Sequence, residues 1–290
     1  MINFNYAFFP LFFFCLVQVS CQNHGKLEIV TDMPSSLDEN SGIESFDGKT
    51  LWVIEDGGNN DNIFKVNFDG KIIKHFDVKN AKNKDWEDLT KDFKNNLYIG
   101  DFGNNANKRE DLEIYKLTNP ELEKGDKIAV EKIKFNYPEQ KNYPPKKSQL
   151  YYDTEAFFHW GNSLYLITKN RTRPYDGKAM LYKVPDITGK YEAQLIGTLF
   201  MCNNQNTCSV TSATISKDGK TIVLLGYGLL WLISDFKLDD FSKGSIKQID
   251  LGIRTQLESV CFLNDSTLLL SDERSNSQGG NLYKLDLNKF

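Results

Sequence analysis

The chain has 290 residues, 40% apolar and 26% charged, and its 35 basic against 39 acidic side chains give a formal net charge of −4. With 13% aromatics and only 8 prolines it is not a disordered, collagen-like or coiled-coil chain. A charge balance this even excludes the broad basic surface of a generic nucleic-acid or anionic-membrane binder.

In chain order, residues 7–17 (AFFPLFFFCLV) form an apolar run interrupted by Pro10, too short to span a bilayer, and no Lys or Arg precedes Lys26. The run reads as a signal-peptide core. It ends in Gln18-Val19-Ser20-Cys21, which resembles a bacterial lipoprotein signal, although Gln18 stands where Leu is usual and the n-region lacks its basic residues. That resemblance implies removal of residues 1–20, a lipid on Cys21, a tether over residues 21–26 and a single domain over 27–290. The protein would then be exported and held by its lipid at the outer membrane or the periplasmic face. The alternative is an ordinary secretory signal with an incidental cysteine.

From residue 41 onward a unit recurs five times: two small or acidic residues and an apolar one, followed seven or eight residues later by an apolar strand. The units are Ser41-Gly42-Ile43, Glu87-Asp88-Leu89, Glu155-Ala156-Phe157, Ser212-Ala213-Thr214 and Glu258-Ser259-Val260. Asp47-Gly48, Asn95-Asn96, Gly161-Asn162, Asp218-Gly219 and Asn264-Asp265 supply hairpin turns between the two strands of each unit. A third alternating run follows in every unit, and a fourth in all but the last, at residues 72–78, 130–137, 193–200 and 246–251. Leu27-Glu28-Ile29-Val30 is a spare strand at the other end. Lending it to the last unit predicts an all-β, five-bladed β-propeller closed by the N-terminal strand. An open antiparallel sandwich and a six-bladed ring are the alternatives. Unit starts at 41, 87, 155, 212 and 258 put insertions in blades two and three. Between blades three and four, Cys202 and Cys208 flank a polar loop; outside the cytoplasm this is a local disulfide, with a zinc pair the poorer reading for want of further ligands nearby. Cys261 reads as a core residue.

In a propeller the starts of the first strands and the ends of the second gather at one channel mouth. The first-strand starts carry Ser41, Glu87, Glu155, Ser212 and Glu258, with Glu39, Asp85, Asp153, Val210 and Gln256 two residues earlier. Second-strand ends add Glu55, Asp101, Thr168, Gly226 and Asp272, then Asp56, Lys169 and Glu273. The five arginines, 109, 171, 173, 254 and 274, are expected to face the same mouth, where guanidinium suits capture of carboxylate or phosphate. Three converging glutamates need a cation, a proton or arginine partners. One reading places calcium on Glu87, Glu155, Glu258 and Asp101, with Arg109, Arg171, Arg274, Lys169 and Asp272 meeting the ligand. The other makes these carboxylates caps and ion pairs that hold the blades. No nucleophile is paired with a base: of the three histidines, His24, His75 and His159, none is expected at the mouth. Gly100-Asp101-Phe102-Gly103-Asn104-Asn105 is either an anion-binding loop or a plain turn.

Glu39-Asn40-Ser41-Gly42-Ile43, Leu51-Trp52-Val53-Ile54-Glu55-Asp56 and Asp85-Trp86-Glu87-Asp88-Leu89 together resemble the opening of the SdiA-regulated propeller family and, more distantly, the esterase-like phytase group. The resemblance implies a cation-binding propeller with Glu87, Glu155 and Glu258 as channel glutamates and Ser212 in place of the fourth. The expected function is therefore binding of a cation and a small anionic or oxygen-rich ligand by a lipid-anchored monomer. The alternatives are a calcium-dependent hydrolase of phosphate esters or glycosides, and a platform for a surface protein. In the last case Tyr143-Pro144-Pro145 in the blade-two insertion would meet the partner.

Overall fold

A computed structural model of the chain describes Met1 and residues 23–275 and 278–290. The expected signal segment and Cys21 lie outside them. Among the described residues no helix is long and apolar enough to cross a membrane.

Five sheets, each built on four antiparallel strands, stand in a ring. From the inner strand outward, blade one is Asn40–Glu44, Thr50–Glu55, Asn62–Asn67 and Ile72–Lys79. Blade two is Trp86–Lys91, Leu97–Asp101, Leu112–Leu117 and Glu131–Asn136. Blade three is Asp153–Trp160, Ser163–Lys169, Lys178–Pro185 and Gln194–Phe200. Blade four is Val210–Ile215, Ile222–Gly226, Leu229–Ser234 and Ser245–Asp250. Blade five is Leu257–Phe262, Thr267–Asp272 and Asn281–Asp286, completed by Glu28–Asp32 from the other end of the chain. The five-bladed ring and its N-terminal closure match the repeat, and the sandwich and six-bladed alternatives fall. The first strands contact one another in succession around the ring.

Burial follows from this arrangement. Strands near the channel have a neighbouring blade on each face, so the second strands Leu97–Asp101 and Ile222–Gly226 are buried at every position, whereas the outer Ser245–Asp250 is exposed at all but one. The apolar side chains sort into five clusters, one in each gap between adjacent blades. Trp52 and Trp86 share the gap between blades one and two, and Trp231 fills that between blades three and four. At the hairpin tips Asn95 and Gly161 adopt φ of 62° and 63°, the left-handed conformation that such turns need.

Each first strand carries a β-bulge at the same place, where its pairing with the second strand shifts register. The extra residues are Ser41, Glu87, Glu155, Thr211 and Glu258. Blade four is thereby realigned: the counterpart of the channel glutamates is Thr211, and Ser212 belongs with Gly42, Asp88, Ala156 and Ser259. A bulge turns two consecutive side chains out of strict alternation, which explains how Glu87 and Asp88 both serve the channel.

The insertions in blades two and three are spent on crossing to the preceding blade. Lys127–Ala129 pairs parallel with the outer strand of blade one, and Gly189–Glu192 with that of blade two. Strands of three and four residues leave no readable alternation. Cys202 and Cys208 are joined in a disulfide with Cα atoms 5.6 Å apart, around the short helix Gln205–Cys208, and Cys261 is a buried free cysteine.

Candidate functional site

At the mouth, the bulges of blades two and three aim Glu87 and Glu155 at one point, and the residues two positions earlier, Asp85 and Asp153, come with them. Carboxylate oxygens of Glu87, Asp153 and Glu155 lie within 4.8 Å of one another, as do those of Asp56, Asp85 and Glu87. Glu87 belongs to both groups.

The two groups differ in compensation. Arg171 donates from Nε to Asp153 Oδ2 at 2.5 Å and from Nη2 to Glu155 Oε1 at 2.9 Å, while Lys169 Nζ donates to Glu155 Oε2 at 2.9 Å. Burial raises the pKa of Glu155, but Lys169 and Arg171 outweigh it and hold the carboxyl below its usual range. For Asp153 the balance tips the other way: burial and the neighbouring Glu155 push it up to about 7 in spite of Arg171. Glu87 has no basic partner among the described residues. Burial, then Glu155, Asp56, Asp153 and Asp85, raise its pKa well above the carboxylate range. Burial likewise lifts Asp56 to about 6.

Blade four has no carboxylate here and contributes Tyr227, the one side chain of its Gly226-Tyr227-Gly228 turn. Lys169 Nζ lies 3.2 Å from the Tyr227 hydroxyl, which donates to Glu258 Oε1 at 2.8 Å. Tyr227 thus bridges the third expected glutamate to the cluster. Burial and the Glu155 charge raise Glu258 to about 8 against the pull of Lys169. Tyr227 escaped the sequence reading, and the shortness of its turn between two apolar runs was the available signal.

The remaining expected residues sit elsewhere. Asp101 accepts from the Asp85 N–H at 3.1 Å, the Tyr115 hydroxyl at 2.9 Å and Arg109 at 3.0 Å. Asp272 accepts in the same way from Asn281 N, Tyr283 and Thr255. These two aspartates are equivalent anchors between second and third strands, outside the groups that converge around Glu87. The arginines do not gather at one point. Arg109 is tied to Asp101, Asp111 and the Gly103 carbonyl; Arg274 to Asp38 and the Met33 carbonyl; Arg254 to Asp250; and Arg173 is exposed. Arg171 alone touches the carboxylate cluster. His159 lies away from the mouth, 2.9 Å from Asp186.

Two backbone segments frame the cluster. A Cβ on Gly103 would stand 2.0 Å from Glu87 Oε1 and 2.5 Å from Asp85 Oδ2, so the loop packs directly on the carboxylates. The end of the blade-two insertion is fixed along the rim, where Lys147 and Leu150 carbonyls accept from Arg173 N and Arg171 N.

No protein-family model matches this chain, and no curated protein matches it either. Its fold is that of a solved structure, the PQQ-bound form of aldose sugar dehydrogenase from Streptomyces coelicolor. The TM-score is 0.54 at 11% identity, over 90% of this chain and 98% of that one. The chain is accordingly a β-propeller protein.

Proposed function

We propose that the carboxylate mouth binds a hard divalent cation, calcium by its all-oxygen donors, and through it a small anionic or oxygen-rich ligand. The observation that carries this reading is Glu87, a buried carboxylate shared by two three-carboxylate groups and without a basic partner among the described residues. Five carboxylates meet there and two cations, Lys169 and Arg171, touch them, so the excess negative charge calls for a proton or a metal ion. The residues fit such an ion on the Asp56, Asp85, Glu87 side, since Lys169 and Arg171 already engage Glu155 and Asp153 on the other. The reading places the chain functionally beside the SdiA-regulated propellers its motifs resemble and, with the signal-like N-terminus, in an exported, lipid-anchored protein.

A hydrolytic variant rests on Asp153 and Glu258. Their carboxyls titrate near 7 and 8, where one of them would serve as a general base toward water. The PQQ of the structural neighbour belongs to that protein.

Melting of metal-stripped protein with calcium, with magnesium and with EDTA tests the binding reading. Calcium should raise the transition in the wild type and not in Glu87→Gln; a wild type indifferent to both ions overturns it. Phosphatase, nucleotidase and glycosidase substrates, assayed with calcium, test the variant through loss of turnover in Glu258→Gln.

A further inference from the structure

The other end of the channel holds a cavity of about 510 Å³, lined by residues from the far ends of the five first strands and their hairpins. Glu87 and Asp92 are five residues apart on one chain segment, on the order of 15 Å at ~3.3 Å per residue, and Asp88 with its hydrogen-bond partners closes the channel between them. The cavity is therefore separate from the carboxylate mouth, and its size suits a small molecule.

Its charges are already spent. Glu44 pairs with Lys91 at 2.8 Å. Asp92 accepts from the backbone N–H groups of Lys94 and Asn96, the Asn96 amide and the Tyr98 hydroxyl. His159 is paired with Asp186. Lys217 and Asp265 stand exposed at the rim. An ionic ligand would find no buried counter-charge waiting for it.

Apolar ring surface and hydroxyl groups remain. Phe46, Phe93, Trp160 and Phe262 line the cavity. Phe93 is 64% exposed and meets the half-buried Trp160 edge-on at 5.7 Å. Beside them, Thr214 is 92% buried and lines the cavity, and its hydroxyl makes no hydrogen bond among the described residues. Thr90 accepts from His159 N, which leaves its own proton undirected. A purely apolar ligand would strip water from these hydroxyls without replacing it. A pyranose offers an uncharged C–H face for the aromatic rings and hydroxyls that both donate and accept.

We infer that this cavity is a binding site for a neutral saccharide, a monosaccharide or the end of a short chain, stacked on Trp160 and Phe93 and hydrogen-bonded by Thr90 and Thr214.

Tryptophan emission reads the site directly, because of the four tryptophans only Trp160 is not fully buried. The full chain is titrated with glucose, galactose, N-acetylglucosamine and cellobiose up to about 10 mM, the range of weak specific sites, and each titration is repeated by calorimetry. At least one sugar should give a saturable emission change, with binding weakened about tenfold in Phe93→Ala and several-fold in Thr214→Val and unaltered in Glu87→Gln. Phe93→Ala removes an exposed ring, so it leaves the fold intact. Absence of saturable binding by all four sugars overturns the inference. So does binding that is unchanged in both cavity variants, or an emission change produced by the apolar probe ANS alone.

Discussion

Asp88 and Ser212 are 124 residues apart in the chain and meet across the channel at 3.1 Å. Asp88 also accepts from the N–H groups of Leu89, Phe157 and Ala213, and the Ser212 oxygen accepts from Val260 N. Ser259 donates to the Ser41 carbonyl and Ser41 to the Glu87 carbonyl, each at 2.6 Å, which completes the circuit of blades. One carboxylate and three serines thus bind five blades at the centre of the ring, where apolar side chains meet only in pairs of blades.

Asp88→Ala should cost at least about 3 kcal/mol, because three backbone N–H groups lose their acceptor in a dry channel. Asp88→Asn should cost less, about 1–3 kcal/mol, since an amide keeps one oxygen and its NH2 can turn to Ser212. Urea unfolding of the two variants checks the order, and equal stability of all three proteins would contradict the role of Asp88 as a tie.

The mouth sets the pH dependence of stability. In the folded protein Asp56 titrates near 6, Asp153 and Glu273 near 7 and Glu258 near 8, in each case raised chiefly by burial. In the unfolded chain all four ionise near 4, so between about 4 and 8 the native state holds more protons and stability falls as pH rises. Metal-stripped protein should therefore melt higher at pH 5.5 than at pH 8. Calcium should narrow the gap and release protons on binding, measurable by calorimetry in buffers of different ionisation enthalpy.

Gly103→Ala should be more damaging than an exposed loop change. The new Cβ would lie within 2.0 Å of Glu87 Oε1, so either the loop or the carboxylates must move. The expected result is a lost calcium response with a moderately lowered melting temperature; a wild-type response would show that the loop does not shape the cluster.

Removal of residues 23–33 should prevent stable monomeric folding. It takes away the outer strand of blade five, bares the edge Asn281–Asp286 and deletes the buried Leu27 and Met33. Size-exclusion chromatography should show aggregate, and adding a peptide of residues 23–33 should restore monomer.

The ring itself was legible in the sequence because its signal is periodic and local. Hairpin turns such as Asp47-Gly48 and runs such as Leu51-Trp52-Val53-Ile54 recur at each blade, and a strand missing at one end matched a spare at the other. The mouth was legible only as a set of positions. Glu87, Asp153 and Glu155 could be placed there by counting from strand starts, but which acid pairs with which base depends on contacts between blades that no local pattern records. Arg171 and Arg109 occupy similar loops, yet one reaches the cluster and the other folds back on Asp101 and the Gly103 carbonyl. The bulge that makes Thr211 rather than Ser212 the counterpart of Glu87 is likewise a matter of register between strands. Short-range patterning therefore determined the number of blades and how they close, and the tertiary structure decided which charges are compensated, because compensation depends on a few ångströms between segments far apart in the chain.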